Sequence, residues 1–519
     1  MNFGSNKVNN NNNKTIAIIT WDVTHNALGR AYMLAEALSY KYKVKIVGFT
    51  YKQKNLSIWE PLKEGNISVF SYPGENYPEL ASSLESLAPK IDVDIILVSK
   101  PRLPAMQLGL LIKASRNCPL LLDIDDYELG FFERKNKVFE KYDIKIPYGE
   151  HWTRFCESCI NYADDIFVSN LALQEKYGGT IIPHARDENL FKPELYDKEE
   201  RRKELGISPN DKVVLFLGTP REHKGLLALL ETIKKCGNPN YKLCIIGTFH
   251  NLSLKERLED IGGNQLLLHP DQPFNKVASN VAAADLVCIL QNQESEVSKY
   301  QFPAKVVDAM AMGVPVLAYN TPPLQPLIEQ DVVIPTRPDA LEVDIMRVLS
   351  DIEHFKQKQL EKRDVFLSQY SYGAILRKMD AVINKAYHNN NPLPAKALSF
   401  TKMQTNLLDD VEKLLETEGK KSKRIKQNWE LKLNKMEIEK YKVEVARMQE
   451  KLGKQREHNS LIKEILGHKE SKLRDIKNNN SELINECEIF EKKRDAIMKS
   501  RTWRYILPLG KSLSKIKGK

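Results

Sequence analysis

From Lys14 onward the chain alternates short apolar runs with amphipathic stretches. TIAIIT (15–20), VKIVGFT (44–50), DIILVSK (94–100), LLLDIDD (120–126) and DIFVSN (165–170) are rich in β-branched residues and nearly free of internal polar positions. Such runs suit strands of a parallel sheet covered on both faces, where no polar alternation is needed. Between them lie helical patterns such as GRAYMLAEALSYKY. The pattern then restarts with VVLFLGT (213–219), KLCIIGT (242–248), QLLLHP (265–270), DLVCIL (285–290) and PVLAYN (315–320), separated by GLLALLETIKK and AKVVDAMAM. Repeated strand–helix–strand units predict an α/β fold of two Rossmann-like domains, with a cleft between them at the carboxyl ends of the strands.

The periodicity sets the expected boundaries. Residues 1–13, MNFGSNKVNNNNN, form an Asn-rich leader without an apolar signal core, expected to be disordered. Residues 14–185 form the first domain and 186–210 the interdomain linker. Residues 211–388 form the second domain, closed by the helical GAILRKMDAVINKAY, and 389–400 a breaker-rich linker. From 401 to 499 Lys, Glu, Asn and Leu dominate. Ile462, Leu466, Leu473, Ile476, Leu483, Cys487, Phe490 and Ile497 share one heptad frame, broken by Lys469, Asn480 and Arg494. This predicts an α-helical coiled coil with an imperfect seam, hence a homo-oligomer; a single solvated helix is the alternative.

Charge changes the picture only at the end of the chain. The formal net charge is +10 over 519 residues. Residues 500–519 concentrate Arg501, Arg504, Lys511, Lys515, Lys517 and Lys519 with no acid, interleaved with Trp503, Tyr505, Leu509 and Ile516. That amphipathic basic tail suits an anionic membrane surface, or packing onto another part of the assembly. No nucleic-acid partner is expected. With no apolar run long enough to span a bilayer, the protein is expected in the cytoplasm, peripherally on the inner face of the membrane. Seven cysteines in no regular framework suit a reducing compartment, and Cys156 and Cys159 are expected to be structural thiols.

Two segments carry the candidate chemistry of the second domain. In LGTPREHKGLLALLETI (217–233), Arg221 and Lys224 follow a strand end and Gly225 opens a helix. Two cations beside free helix-start N–H groups make a diphosphate site; a solvated basic loop is the alternative. In SKYQFPAKVVDAMAMGVPV (298–316), Pro303 suits a first helical turn. Lys305 then lies at a helix start facing the cleft, and Asp308 one turn on. Asp308 either accepts hydrogen bonds from a ribose or pairs with Lys305 on the helix surface. In the first domain Asp123, Asp125 and Asp126 crowd a strand end. Crowding raises carboxylate pKa values, which would equip Asp125 or Asp126 as a base for an acceptor hydroxyl; structural capping and metal binding are the alternatives.

Taken in order, these segments resemble the GT-B glycosyltransferases of family 4. The Arg–Lys–Gly phosphate loop is matched by Arg221, Lys224 and Gly225. The family's Glu-Ala-Met-Ala-x-Gly-x-Pro-Val is matched by 308–316, and its Ile-Pro-Asn-Gly-x-Asp…Phe-x-Pro segment by IIPHARDENLFKP (181–193). Gly29, in the loop after the first strand, falls where the family keeps a glycine beside the donor phosphates. The resemblance covers about residues 14–388. It implies a hexosyltransferase-like enzyme that is metal-independent and needs no cofactor beyond a nucleoside diphosphate sugar as substrate. Donor-binding residues would be Gly29, Arg221, Lys224, Gly225, Lys305 and Asp308, and Asp125, Asp126, Arg221 and Lys224 would be catalytic. The acceptor would be a glycan or lipid-linked, and tails like 500–519 occur in bacterial enzymes of surface polysaccharide synthesis. The chain departs from the family at the Glu-x7-Glu signature, with Tyr300 and Asp308 in place of the two glutamates. Its Pro303-Ala304-Lys305 fits a variant seen among polysaccharide-type members. The departure at Tyr300 is the main support for a rival reading, a catalytically weak GT-B scaffold whose coiled coil mediates assembly. His25 and His184 are expected to be structural or contact residues.

Overall fold

The computed structural model describes residues 14–51, 57–77, 79–132, 146–390, 392–393, 467–472, 474 and 492. The described residues up to 393, apart from Ile146, belong to one compact unit, which contains both α/β domains; Ile146 and those from 467 onward belong to a second, where 467–472 are helical. The leader 1–13, nearly all of the predicted coiled coil and the basic tail 500–519 lie outside the described residues.

The first domain is a seven-stranded parallel sheet in the order β3-β2-β1-β4-β5-β6-β7. Its strands are β1 Thr15–Thr20, β2 Lys43–Thr50, β3 Val69–Pro73, β4 Ile95–Ser99, β5 Leu120–Ile124, β6 Asp165–Val168 and β7 Thr180–Ile181. The second is a six-stranded parallel sheet, β10-β9-β8-β11-β12-β13. It comprises β8 Lys212–Leu217, β9 Tyr241–Ile246, β10 Leu266–His269, β11 Leu286–Ile289, β12 Val316–Tyr319 and β13 Ile334–Thr336. The central strands are buried on both faces, as in β4 and β5, where every residue is buried. This is why their sequences are continuously apolar.

The strands without a clear sequence signal are β3, β7 and β13. Each is the end strand of its sheet. An end strand pairs on one side only and needs little apolar surface, so β3 exposes Phe70 and the other two span two and three residues. In each sheet the chain order reverses beside the first strand, between β1 and β4 and between β8 and β11. Such a switch point opens a crevice at the carboxyl ends of the strands.

The closing helix, Tyr372–His388, departs from the expected division. It follows the second domain in sequence but packs into the core of the first. Tyr372, Ile375, Met379, Val382, Ile383 and Ala386 form one helical face buried with Leu28, Ala31, Ala35 and Leu38 of helix Ala27–Ser39. Tyr372 donates to Glu36 Oε2 (2.6 Å) and receives its own contact region from the linker, where its N–H donates to Arg186 O (2.9 Å). Tyr42 donates to Asp380 Oδ1 at 2.6 Å. The amphipathic pattern established the helix; only tertiary contacts established which core it completes. Cys156 and Cys159 are buried, and burial pushes the Cys156 thiol well above its ordinary value.

Candidate active site

A cleft of about 540 Å³ opens where the carboxyl ends of both sheets meet. Gly29, Asp125, Asp126, Arg221, Lys224, Lys305 and Asp308 all line it. Gly225 lies behind the wall, where it shapes the backbone. Gly29 is not in a loop, as the sequence suggested, but in the first turn of helix Ala27–Ser39. The turn after β1 is shorter than the polar run made it seem, and the helix start itself faces the cleft.

On the second-domain wall, β8 ends at Leu217, and a short turn, Glu222–Lys224, leads through Gly225 into helix Leu226–Lys235. Gly225 has φ +72°, and a Cβ there would stand 2.8 Å from the carbonyl oxygen of Leu290. Both facts demand glycine. Gly218 has φ +122°, and a Cβ would come within 3.3 Å of Lys305 Nζ, so the missing side chain leaves room for that ammonium. Lys305 sits in the first turn of helix Ala304–Ala311, whose N-cap is Pro303, and its ammonium lies 4.6 Å from the Phe216 ring centroid. Lys224 Nζ donates to Gln301 Oε1 at 2.8 Å. Among the described residues no hydrogen bond or ion pair holds the Arg221 side chain, which is exposed at the cleft. Burial, with repulsion from Lys305 and Arg221 only partly offset by Asp126, lowers Lys224 to about 7. Burial, with repulsion from Arg221 against attraction from Asp308, lowers Lys305 to about 8. Three cations short of counter-charge converge here, which makes the wall ready for a polyanion.

Asp308 has a different setting from either expectation. It is buried, and its Oδ1 lies 2.6 Å from Arg186 Nε of the interdomain segment. The surface pairing with Lys305 does not form as a close contact, because the side chain turns inward from a buried helix. Burial raises the Asp308 carboxyl while Arg186 opposes the rise. A ribose would have to share this carboxylate with Arg186.

The first-domain wall is a dense ionic cluster. Lys100, just beyond β4, places Nζ 2.7 Å from Asp125 Oδ1, 3.0 Å from Asp126 Oδ2 and 2.8 Å from Glu128 Oε1. Arg102 reaches Glu128 Oε2 at 3.1 Å and its guanidinium lies 4.4 Å from the Trp21 ring. Asp123 faces away from the cleft chemistry, held by the Nε and Nη2 groups of Arg30. Asp125 and Asp126 are adjacent yet electrostatically opposed. Burial, aided by Asp126 and Asp123 against Lys100, raises Asp125 to about 7. Burial acts the same way on Asp126, but Lys100 and a hydrogen bond from Gln301 hold it below the usual carboxylate value.

Gln301 joins the walls. Its Oε1 accepts from Lys224 Nζ and from Gln291 Nε2 (2.6 Å), while its Nε2 donates to Asp126 Oδ1 at 3.0 Å. Tyr300, where the resemblance would place a glutamate, serves the interface: its carbonyl accepts from Asn170 Nδ2 (2.7 Å) and its ring lies 5.1 Å from that of Tyr127. His184 lines the cleft and is kept neutral by burial and by Arg30 and Arg186. His25 pairs with Asp22 at 3.1 Å. The residues missed by sequence reasoning are Lys100, Arg102, Glu128, Arg186 and Gln301. Lys100 was visible only as the polar end of a strand run, and Arg186 only as a member of the 181–193 segment.

The comparisons agree with this architecture. Residues 197–363 match the sequence model of the family described as glycosyl transferases group 1. A D-inositol 3-phosphate glycosyltransferase of Segniliparus rotundus is 30% identical over 147 residues, 27% of this chain. The match spans 31% of that curated relative's length. Among solved structures, HepE of Anabaena, determined with UDP and glucose, superposes with a TM-score of 0.55 at 17% identity, covering 72% of this chain and 99% of that one. Sucrose-phosphate synthase of Thermosynechococcus elongatus gives 0.55 at 18% identity, covering 72% and 100%. The chain therefore has the GT-B fold of two α/β domains, and its second domain matches the glycosyl transferases group 1 family across residues 197–363.

Proposed function

We propose that the chain is a glycosyltransferase that moves a sugar from a nucleoside diphosphate sugar to a hydroxyl of a glycan or lipid-linked acceptor. The observation that carries this reading is the convergence of Arg221, Lys224 and Lys305 on one cleft wall, short of counter-ions, at a helix start. Those cations and the helix N-terminus would bind the diphosphate and stabilise the charge that grows as the sugar leaves. Each charge-assisted hydrogen bond contributes about 1.5–3 kcal/mol. The likeness to HepE, solved with UDP and glucose, favours a uridine nucleotide as donor. Because fixed cations supply the charge stabilisation, the chemistry needs no metal ion.

In the step itself the acceptor oxygen bonds to the anomeric carbon, the bond from that carbon to the diphosphate oxygen breaks, and the nucleoside diphosphate departs. The acceptor proton passes to a carboxylate of the first-domain wall. Asp125 suits this better than Asp126, since a carboxyl near pH 7 accepts a proton with little penalty at neutral pH. Gly29 allows close approach of backbone to phosphate, Gly225 shapes the loop from behind the wall, and Asp308, oriented by Arg186, holds the ribose. Beyond the described residues, the heptads of 401–499 would cluster chains. Clustered basic tails would bring the cleft to an anionic membrane on the cytoplasmic side, near a lipid-linked glycan of a surface polysaccharide. Among the described residues no helix is long and apolar enough to cross a membrane.

The test is a binding scan of the full chain against common nucleotide sugars, with Lys224→Ala as control. Binding of one donor that is lost in the folded variant supports the transferase. No binding by any donor to folded protein would leave the scaffold reading in its place.

A further inference from the structure

Asp125, Asp126 and Glu128 each bring one carboxylate oxygen within 4.8 Å of the others, the spacing of a cation cage. The centre of that cage is filled by the chain itself. Lys100 Nζ lies 2.7–3.0 Å from all three carboxylates, and an ammonium has three N–H groups to give. We infer that Lys100 is the resident cation of this cage and a positioning residue, holding the three carboxylates together in the place a divalent ion would otherwise take.

The backbone is shaped for that purpose. Lys100 has φ +72°, a left-handed conformation uncommon for a residue with a side chain. Its N–H donates to Asp123 O and its carbonyl accepts from Arg102 N, both at 2.8 Å, so the turn is fixed from both sides. Lys100 is buried, so its ammonium would be costly without these partners. Every other charge facing the cage has its own place. Arg30 is taken by Asp123, Arg102 by Glu128, and Gln301 reaches Asp126, which also faces His184, Arg221 and Lys224. Three carboxylates against the Lys100 ammonium and the Arg102 guanidinium leave one negative charge in excess. Lys100 lies closest to Asp125, yet among the described residues Asp126 and Glu128 each have a second side-chain donor and Asp125 does not. Asp125 is therefore the member left to exchange its proton, while Lys100 and Gln301 keep Asp126 ionised.

Only the kinetic arm of the test rests on the transferase reading. In Lys100→Met of the full chain, the cage loses its cation and should bind Mn²⁺, measured by water-proton relaxation or calorimetry, at least tenfold more tightly than the parent protein. The acid limb of the pH–rate profile should rise by about one unit or more, because the carboxylates lose their nearest positive charge. An unchanged Mn²⁺ affinity in a folded variant would overturn the inference whether or not a donor sugar has been found. Should transfer be absent from the parent protein while the variant gains Mn²⁺, the cage stands and the transferase reading falls. If Lys100→Met does not fold, Lys100→Met with Glu128→Gln deletes one charge of each sign. That pair should recover the fold, and its failure to do so would assign Lys100 to general packing and overturn the proposal.

Discussion

On the first-domain wall of the cleft, Lys100 meets three carboxylates at 2.7–3.0 Å. On the second-domain wall, the side chains of Arg221, Lys224 and Lys305 have one hydrogen bond among them within the described residues, from Lys224 to Gln301. Both walls concentrate charge, but only the first compensates it internally. Desolvated ions are costly unless paired, so a folded protein that leaves cations short of partners is shaped for an anion it does not itself contain. The compensated wall is suited to hold geometry and trade a proton. The uncompensated wall is suited to bind a ligand. The same rule identifies Arg186–Asp308 as a structural pair at the edge of the binding wall, despite the exposed role that Asp308 has when read from sequence alone.

The largest effect should come from breaking that pair. Arg186→Leu leaves the buried Asp308 carboxylate without its partner and should lower stability by about 3–5 kcal/mol, read from denaturant unfolding. A smaller loss would mean that water reaches Asp308 and that the pair is less enclosed than the geometry shows. Next, Lys224→Ala should reduce transfer by about 100-fold or more with the fold intact, the size typical of losing one donor to a developing oxyanion. Retained turnover would place the working cations elsewhere on the wall.

A pH series sharpens the contrast further. Lys224 stands at about 7 in the free protein, and a bound diphosphate must raise it. Donor binding should therefore take up protons near neutrality, and affinity should fall by as much as tenfold per unit as pH rises above about 7. Calorimetry in two buffers of different ionisation enthalpy measures the proton uptake directly; release instead of uptake would contradict the lysine's role. The smallest effect is expected for Gln301→Leu, which removes the amide's hydrogen bonds to the Lys224 ammonium and the Asp126 carboxylate. It should cost about 1.5 kcal/mol, read as about a tenfold change in donor KM with less change in kcat. A change confined to kcat would mean that Gln301 acts on Asp126 and not on Lys224.

The sequence was legible where function depends on local spacing. Arg221, Lys224 and Gly225 form their loop within a few residues, and Lys305 follows from the proline that starts its helix, so neither needed distant partners to be located. The ionic cluster was half legible: Asp125 and Asp126 stood out by crowding. Lys100 and Glu128 did not, because a lysine ending one strand and carboxylates beyond another meet only when β4 and β5 pair side by side.

Strand periodicity and loop chemistry by themselves determined two α/β domains, a basic loop running into a helix start on the second, and a carboxylate-rich strand end on the first. Tertiary structure alone decided that Tyr372–His388 completes the first core, that Arg186 claims Asp308, that Gln301 spans the cleft, and that Lys100 separates the behaviour of two neighbouring aspartates. The division has one physical cause. Helix and strand signals, and loops closed within a few residues, are written in short-range spacing, whereas the ionisation and partner of a buried charge depend on groups brought together from far along the chain.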